Sequence, residues 1–340
     1  MKILTYDWHQ GRGATFEDFF GCEIPSHYGN YEQEYWAIRK SVGLRDVSHF
    51  GKVRMSGRDR QRFLNGMVSN DVKALEPGIG TWALFLDVKG HLQADLKIYA
   101  FPNHLLLIMQ HYLRDKVIAG LDKYIISEDV TMKDVTEEFA LFQILGPDAE
   151  SFLKSKGIEE LPAALFAFRS VSVGGIDANL IRLSAGFALL APVASAAQLL
   201  DHLNAQPIGM RAFDVYRIES GLPLLSRDTD ETSLPQEARM DAALNFHKGC
   251  YLGQEVMARI DAQGHVNKHL MGIASASPLH PGDKIYKGDK EIGKITSSTT
   301  SLLLSQSLAL GYVRREFAKE GELVQTGENR ITAMVKQLPL

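Results

Sequence analysis

Residues 81–110 read TWALFLDVKGHLQADLKIYAFPNHLLLIMQ. Three runs rich in apolar residues, Thr81 to Asp87, Leu92 to Phe101 and Leu105 to Gln110, are separated by Val88-Lys89-Gly90-His91 and Pro102-Asn103-His104. That is the pattern of consecutive antiparallel hairpins. In the middle run Leu92, Ala94, Leu96, Ile98 and Ala100 alternate with Gln93, Asp95, Lys97, Tyr99 and Phe101. Successive side chains of a strand point to opposite faces, so Asp95 and Tyr99 share one face. That face is either plain solvent, the usual fate of such residues, or the floor of a ligand site.

Before this region the spacing of Tyr35, Ile38 and Val42 predicts a helix over Glu32 to Ser41. A strand is expected from Lys52 to Ser56 and an amphipathic helix from Arg58 to Met67, whereas residues 1 to about 30 are polar, rich in turn formers and read as irregular. After the hairpins come a predicted helix at His111 to Ile125 and strands at Val130 to Val135 and Phe139 to Leu145. A helix then fits Pro147 to Lys156, strands fit Phe166 to Val173, Ala178 to Leu183 and Phe187 to Ala191, and helices fit Ser195 to Leu203 and Met210 to Gly221. The order recurs, which implies an α+β fold of two successive units with antiparallel sheets. Beyond Gly264 the chain breaks into short runs, His269 to Ser275, Lys284 to Lys287, Glu291 to Ser297 and Leu308 to Val313, punctuated by glycine turns. This texture suggests an all-β barrel or sandwich of about seventy residues. The expected division is residues 1–267 and a C-terminal β-barrel domain at 268–340.

Chemistry concentrates in Thr229 to Arg259, TDETSLPQEARMDAALNFHKGCYLGQEVMAR. A short helix is expected from near Leu252, with Val256, Ala258, Ile260 and Met257 supplying its apolar side. Cys250 then lies just outside the helix N-terminus, where unpaired N–H groups and Lys248 favour a thiolate. The alternative is a half-buried structural cysteine, and spacing alone does not separate the two. Glu237 follows Pro235 and precedes Ala238, so its carboxylate can point inward. Inside, it needs donors: either a planar heterocycle with adjacent ring N–H and amino groups, or an ordinary salt bridge to Arg239 or Arg217.

Composition narrows the classes. The chain of 340 residues is 45% hydrophobic and 23% charged, with 37 basic against 41 acidic residues and a net charge of −4. No basic block interleaved with aromatics appears, which disfavours nucleic acid. Its two cysteines, Cys22 and Cys250, give no metal-ligand spacing. Apolar runs such as Leu105 to Met109 are strand-sized, no apolar signal region follows Met1, and a reducing cytoplasm without membrane contact is the expected setting.

Asp230-Glu231-Thr232-Ser233-Leu234-Pro235-Gln236-Glu237-Ala238, followed by Lys248-Gly249-Cys250-Tyr251-Leu252-Gly253-Gln254-Glu255, resembles the YgfZ-type folate-binding proteins. These are relatives of the aminomethyltransferase, or T-protein, of the glycine cleavage system. The likeness covers nearly the whole chain, including Gly43-Leu44-Arg45-Asp46-Val47-Ser48. It implies an aminomethyltransferase-like fold that binds tetrahydrofolate or a one-carbon derivative in a central cavity. By resemblance Asp95 approaches the folate nitrogens that carry the one-carbon unit, Trp82 and Tyr99 pack against the folate, Glu237 holds the pterin, and Lys268 stands where a basic residue precedes the barrel. Three departures matter: Ala94-Asp95 replaces a common acidic pair, Lys268-His269 stands at the basic position before the barrel, and Cys250 is absent from the matching motif of aminomethyltransferases. The third points toward the YgfZ branch. The leading expectation is therefore a folate-dependent accessory factor for iron–sulfur protein assembly or repair, with Cys250 and Asp95 as its reactive groups and iron–sulfur client or assembly proteins as partners. The alternatives are a folate-dependent one-carbon transferase that relies on Asp95, and a ligand-binding module whose cysteine is structural.

Overall fold

Residues 1–30, expected to be irregular, are folded. They carry α1 (Tyr6–Gln10) and an antiparallel hairpin of β1 (Thr15–Phe19) and β2 (Cys22–His27). The turn is Phe20-Gly21, with φ of 51° and 85°, the left-handed pair of a type I′ connection. Phenylalanine in the first turn position is not the Asn or Asp that marks such a turn in sequence, so the signal was hidden. Phe19, Cys22 and Ile24 are buried beneath the hairpin. His9 bonds Asp46 at 2.9 Å through Nε2 and the Tyr28 hydroxyl at 2.6 Å through Nδ1, tying this segment down.

The computed structural model describes residues 1–340. After the hairpin come α2 (Tyr31–Lys40), β3 (Gly43–Asp46), β4 (Gly51–Ser56), α3 (Arg60–Met67), β5 (Gly80–Leu86), β6 (Leu92–Ala100) and β7 (Leu105–Met109). Asn30 caps α2 by accepting from the N–H groups of Glu32 and Gln33. The helix expected over His111 to Ile125 is shorter: one 3₁₀ turn, His111–Leu113, leads into α4 (Arg114–Asp122). There follow β8 (Thr131–Asp134), β9 (Phe139–Leu145), α5 (Ala149–Ser155), β10 (Phe168–Val173), β11 (Ile176–Leu183), β12 (Gly186–Pro192), α6 (Ala196–Leu203), β13 (Gln206–Pro207) and α7 (Met210–Glu219).

The two expected sheets exist, and their strands are interleaved. One has the order β5-β6-β7-β4-β8 and the other β10-β11-β12-β9-β3-β13. β3, from the first run of chain, pairs antiparallel with β9, while β8, from the second, pairs with β4. The β13–β3 edge is parallel, with Gln206 opposite Gly43. On one side of the six-stranded sheet Phe142, Ile144, Leu180 and Leu189 pack on Leu153, Leu199 and Leu203 of α5 and α6. On its other side Leu141, Ile181, Ala188 and Leu190 meet Tyr99, Leu106 and Ile108 of the five-stranded sheet. Burial on both faces explains why β7, β9 and β12 read as nearly continuous apolar runs.

The chain gathers into two units: Met1–Phe85 with Ala94–Phe213, and Leu86–Gln93 with Asp214–Leu340. The second holds α8 (Gln254–Gln263) and six further strands: β14 (Lys268–Ser275), β15 (Lys284–Lys287), β16 (Lys290–Ser301), β17 (Gln306–Arg314), β18 (Leu323–Thr326) and β19 (Ile331–Lys336). They close into a barrel of order β14-β17-β16-β15-β18-β19, the last strand returning to the first. Met271, Ile273, Ile285, Ile295, Val324 and Val335 fill its interior. Buried Arg217 donates to Asp228 at 2.7 Å and to the Ser297 hydroxyl at 2.9 Å, and so fastens the end of α7 to β16. No helix is long and apolar enough to cross a membrane.

Candidate functional site

β6 brings one group of sequence-predicted residues together. Asp95, Lys97 and Tyr99 alternate along it and line a cavity of about 110 Å³, walled by Phe50, Ile108, Leu141 and Ile181 with the amides of Gln110 and Gln143. Trp82, on β5, donates its indole Nε1–H to Asp95 Oδ1 at 2.6 Å. Lys97 Nζ donates to the same oxygen at 2.7 Å and lies 4.4 Å from the centre of the Trp82 ring. Tyr99 is buried edge-on against Phe168, and that burial pushes its phenol well above the ordinary value. Gln110 Oε1 is buried without a hydrogen-bond partner.

Lys97, Gln110 and Gln143 were not named as site residues. Alternation had already placed Lys97 on the face of Asp95 and Tyr99, so that signal was available. Gln110 reaches the cavity from just beyond β7 and Gln143 from β9 of the other sheet, positions that depend on pairings with no local trace. Chemically the cavity offers apolar walls for the faces of a ring and oxygen acceptors for an N–H edge.

A second group lies in the other unit. Glu237 is buried, and its carboxylate is 3.6 Å from Lys268 Nζ. The expected partners, Arg239 and Arg217, are committed elsewhere: Arg217 holds Asp214 and Asp228, and Arg239 donates to the Leu338 carbonyl. Burial pushes the Glu237 carboxyl up, and the Lys268 cation pulls it back only in part. The loop is fixed because Leu270 N–H, on β14, donates to the Glu237 carbonyl at 2.8 Å. Lys268 sits 4.7 Å from the Tyr312 ring centre and borders a polar cavity of about 690 Å³ with Arg227, Asp230, Lys294 and Arg314.

Cys250 is exposed, and Cys22 is the buried cysteine, with its thiol pushed up to about 11. Cys250 is thus not half-buried, as the structural alternative would have it. α8 starts at Gln254, later than expected, and of its four apolar residues only Met257 is buried. Val256 and Ile260, four residues apart, flank Met257 on one side of the helix and are half-buried, whereas Ala258, two residues from each, turns to the opposite side and is exposed. Gly253, at φ 84°, packs where a Cβ would lie 2.5 Å from the Asp87 carbonyl oxygen. The Asp87–Gly90 hairpin tip thus rests on the loop that presents Cys250. Tyr251 is buried beside it, its hydroxyl unpartnered.

The chain matches the GCVT N-terminal domain over residues 5–248 and the glycine cleavage T-protein C-terminal barrel domain over residues 268–340. The aminomethyltransferase of Thermosipho melanesiensis is 30% identical over 332 residues, spanning 94% of this chain and 91% of that one. That of Rubrobacter xylanophilus is 30% identical over 349 residues, spanning 99% and 93%. The crystal structure of glycine cleavage system aminomethyltransferase T from Bartonella henselae superposes with a TM-score of 0.89, covering 100% of this chain and 97% of that chain. At 22% identity that likeness speaks for the fold alone.

Proposed function

Because the chain belongs to the glycine cleavage T-protein family, we propose that it binds tetrahydrofolate or a one-carbon derivative and transfers an aminomethyl or other one-carbon group to or from it. The observation that carries this reading is Asp95, held at one carboxylate oxygen by Trp82 and Lys97 on the wall of a largely apolar cavity. That wall fits such a ligand. Phe50, Ile108 and Leu141 suit the faces of a ring system, while Asp95 and the unpartnered Gln110 Oε1 suit its N–H edge. At about 110 Å³ the cavity takes the edge of a bicyclic ring and not the whole of it, since about 150 Å³ holds a benzene.

When bound, the folate supplies the nitrogens that carry the one-carbon unit. Asp95 keeps Oδ1 on its two donors and uses Oδ2 to accept or hold a proton at the reacting nitrogen. Trp82 and Tyr99 fix the ligand's plane, and the apolar wall excludes water. Glu237, with Lys268, is the proposed anchor for the pterin's ring N–H and amino donors. Anaerobic calorimetry with tetrahydrofolate tests this: Asp95→Asn and Glu237→Gln should each weaken binding by about 1–3 kcal/mol, the cost of losing a charged hydrogen bond. Asp95→Asn should also abolish methylene-tetrahydrofolate formation from an aminomethyl donor. Failure of the wild type to bind would sink the proposal.

A second reading follows from the exposed thiol. Cys250 in Lys248–Glu255 supports placement in the YgfZ-type branch, as a folate-dependent accessory factor in which Cys250 engages iron–sulfur client or assembly proteins. In a deletion strain, Cys250→Ser should fail to restore the cluster content of iron–sulfur enzymes that the wild type restores. Full restoration would leave one-carbon transfer as the better account.

A further inference from the structure

We infer that Lys97 sets which charge state of a one-carbon-bearing folate the Asp95 cavity accepts, favouring neutral forms over the cationic one. The inference rests on the folate reading above and deepens it.

Asp95 and Lys97 are the ionised side chains that line the cavity; the rest of the lining is apolar, aromatic or amide. Their contact is short, 2.7 Å from Nζ to Oδ1. Lys97 is also pinned from a second side, because its ammonium lies 4.4 Å from the Trp82 ring centre and Trp82 itself donates to the same Oδ1. The three side chains therefore form one closed set on adjacent strands, and its net charge is zero. Tyr99 adds no charge, since burial keeps its phenol protonated. What remains for a ligand is a neutral surface of hydrogen-bond acceptors, Asp95 Oδ2 and Gln110 Oε1.

A lone aspartate at this place would do something different. Its unpaired negative charge would attract a cationic ring more strongly than a neutral one. Folate offers both: a group on N5 alone leaves the ring neutral, whereas a methenyl bridge across N5 and N10 makes it a cation. Lys97 cancels the field that would reward the cation while leaving Oδ2 free to accept from an N–H. Its ammonium also disfavours a second positive charge a few ångströms away. Lys97 is thus a specificity-determining residue that acts through Asp95.

The test is a ratio of affinities in one buffer, 5-formyltetrahydrofolate against 5,10-methenyltetrahydrofolate, for the full-length chain. Wild type should prefer the neutral ligand. Lys97→Met should move the ratio toward the cation by about tenfold, a modest figure because both groups are about one-third exposed and solvent screens them. Lys97→Arg keeps the charge and should keep the wild-type ratio. Adding Asp95→Asn to Lys97→Met should erase the shift. If Lys97→Met does not fold, Lys97→Gln removes the same charge while retaining a donor toward Asp95. An unchanged or reversed ratio in a folded variant that binds both ligands overturns the role of Lys97 and leaves the folate reading standing. Failure of wild type to bind either ligand overturns both.

Discussion

A buried histidine with no partner on either ring nitrogen stores a dependence on acidity. His49 is fully buried against Phe19, Phe50 and His111, and both its nitrogens lack hydrogen bonds. Desolvation, reinforced by Arg45 and His111, holds its pKa well below the ordinary 6.5. The unfolded chain then binds a proton near 6.5 that the folded chain refuses. His49 contributes stability that is fully present above pH 6.5 and is lost as pH falls from there toward the depressed folded value, at about 1.4 kcal/mol per pH unit. Thermal melts from pH 8 to 5 should show His49→Phe losing markedly less stability below 6.5 than wild type. Equal slopes would mean that the ring finds a partner in solution. At this same scale the sequence was partly legible. Alternation put Asp95 and Tyr99 on one face, but nothing local revealed that Lys97 closes on Asp95 or that Glu237 pairs with Lys268, thirty-one residues later.

Elements were more legible than their ends. Hydrophobic spacing located β5 to β7, α2, α6 and four of the six barrel strands, β14 to β17, because burial fixes those patterns. It missed β1 and β2, whose turn uses Phe20 at positive φ, left β18 and β19 unread, and put Ala258 on the wrong side of α8. The loop before α8 allows two costs to be separated. Gly249 and Gly253 both have positive φ, 91° and 84°, but an added Cβ meets nothing within 4 Å at Gly249, while at Gly253 it strikes the Asp87 carbonyl oxygen at 2.5 Å. Gly249→Ala should therefore cost about 1–2 kcal/mol of conformational strain alone. Gly253→Ala should cost at least about 1 kcal/mol more in urea unfolding, because the hairpin tip must also move. Equal costs would show that the tip does not rest on this loop.

For the whole molecule, fold class was readable and connectivity was not. Two antiparallel-sheet units and a terminal β domain follow from periodicity, yet the exchange of β3 and β8 between sheets depends on pairings such as Gly43 with Leu145, which leave no local signature. Whether the terminal domain was a barrel or a sandwich was also open until β19 was seen to return to β14. That closure reaches beyond architecture. β19 covers the free edges of both β14 and β18, so a polypeptide ending before Ile331 would carry two unsatisfied rows of backbone donors and acceptors. Such a chain is a template for its own kind. Proteolytic nicking or premature termination just before Ile331 should yield a protein that recruits further copies through strand addition, with self-association appearing before any loss of the Asp95 cavity.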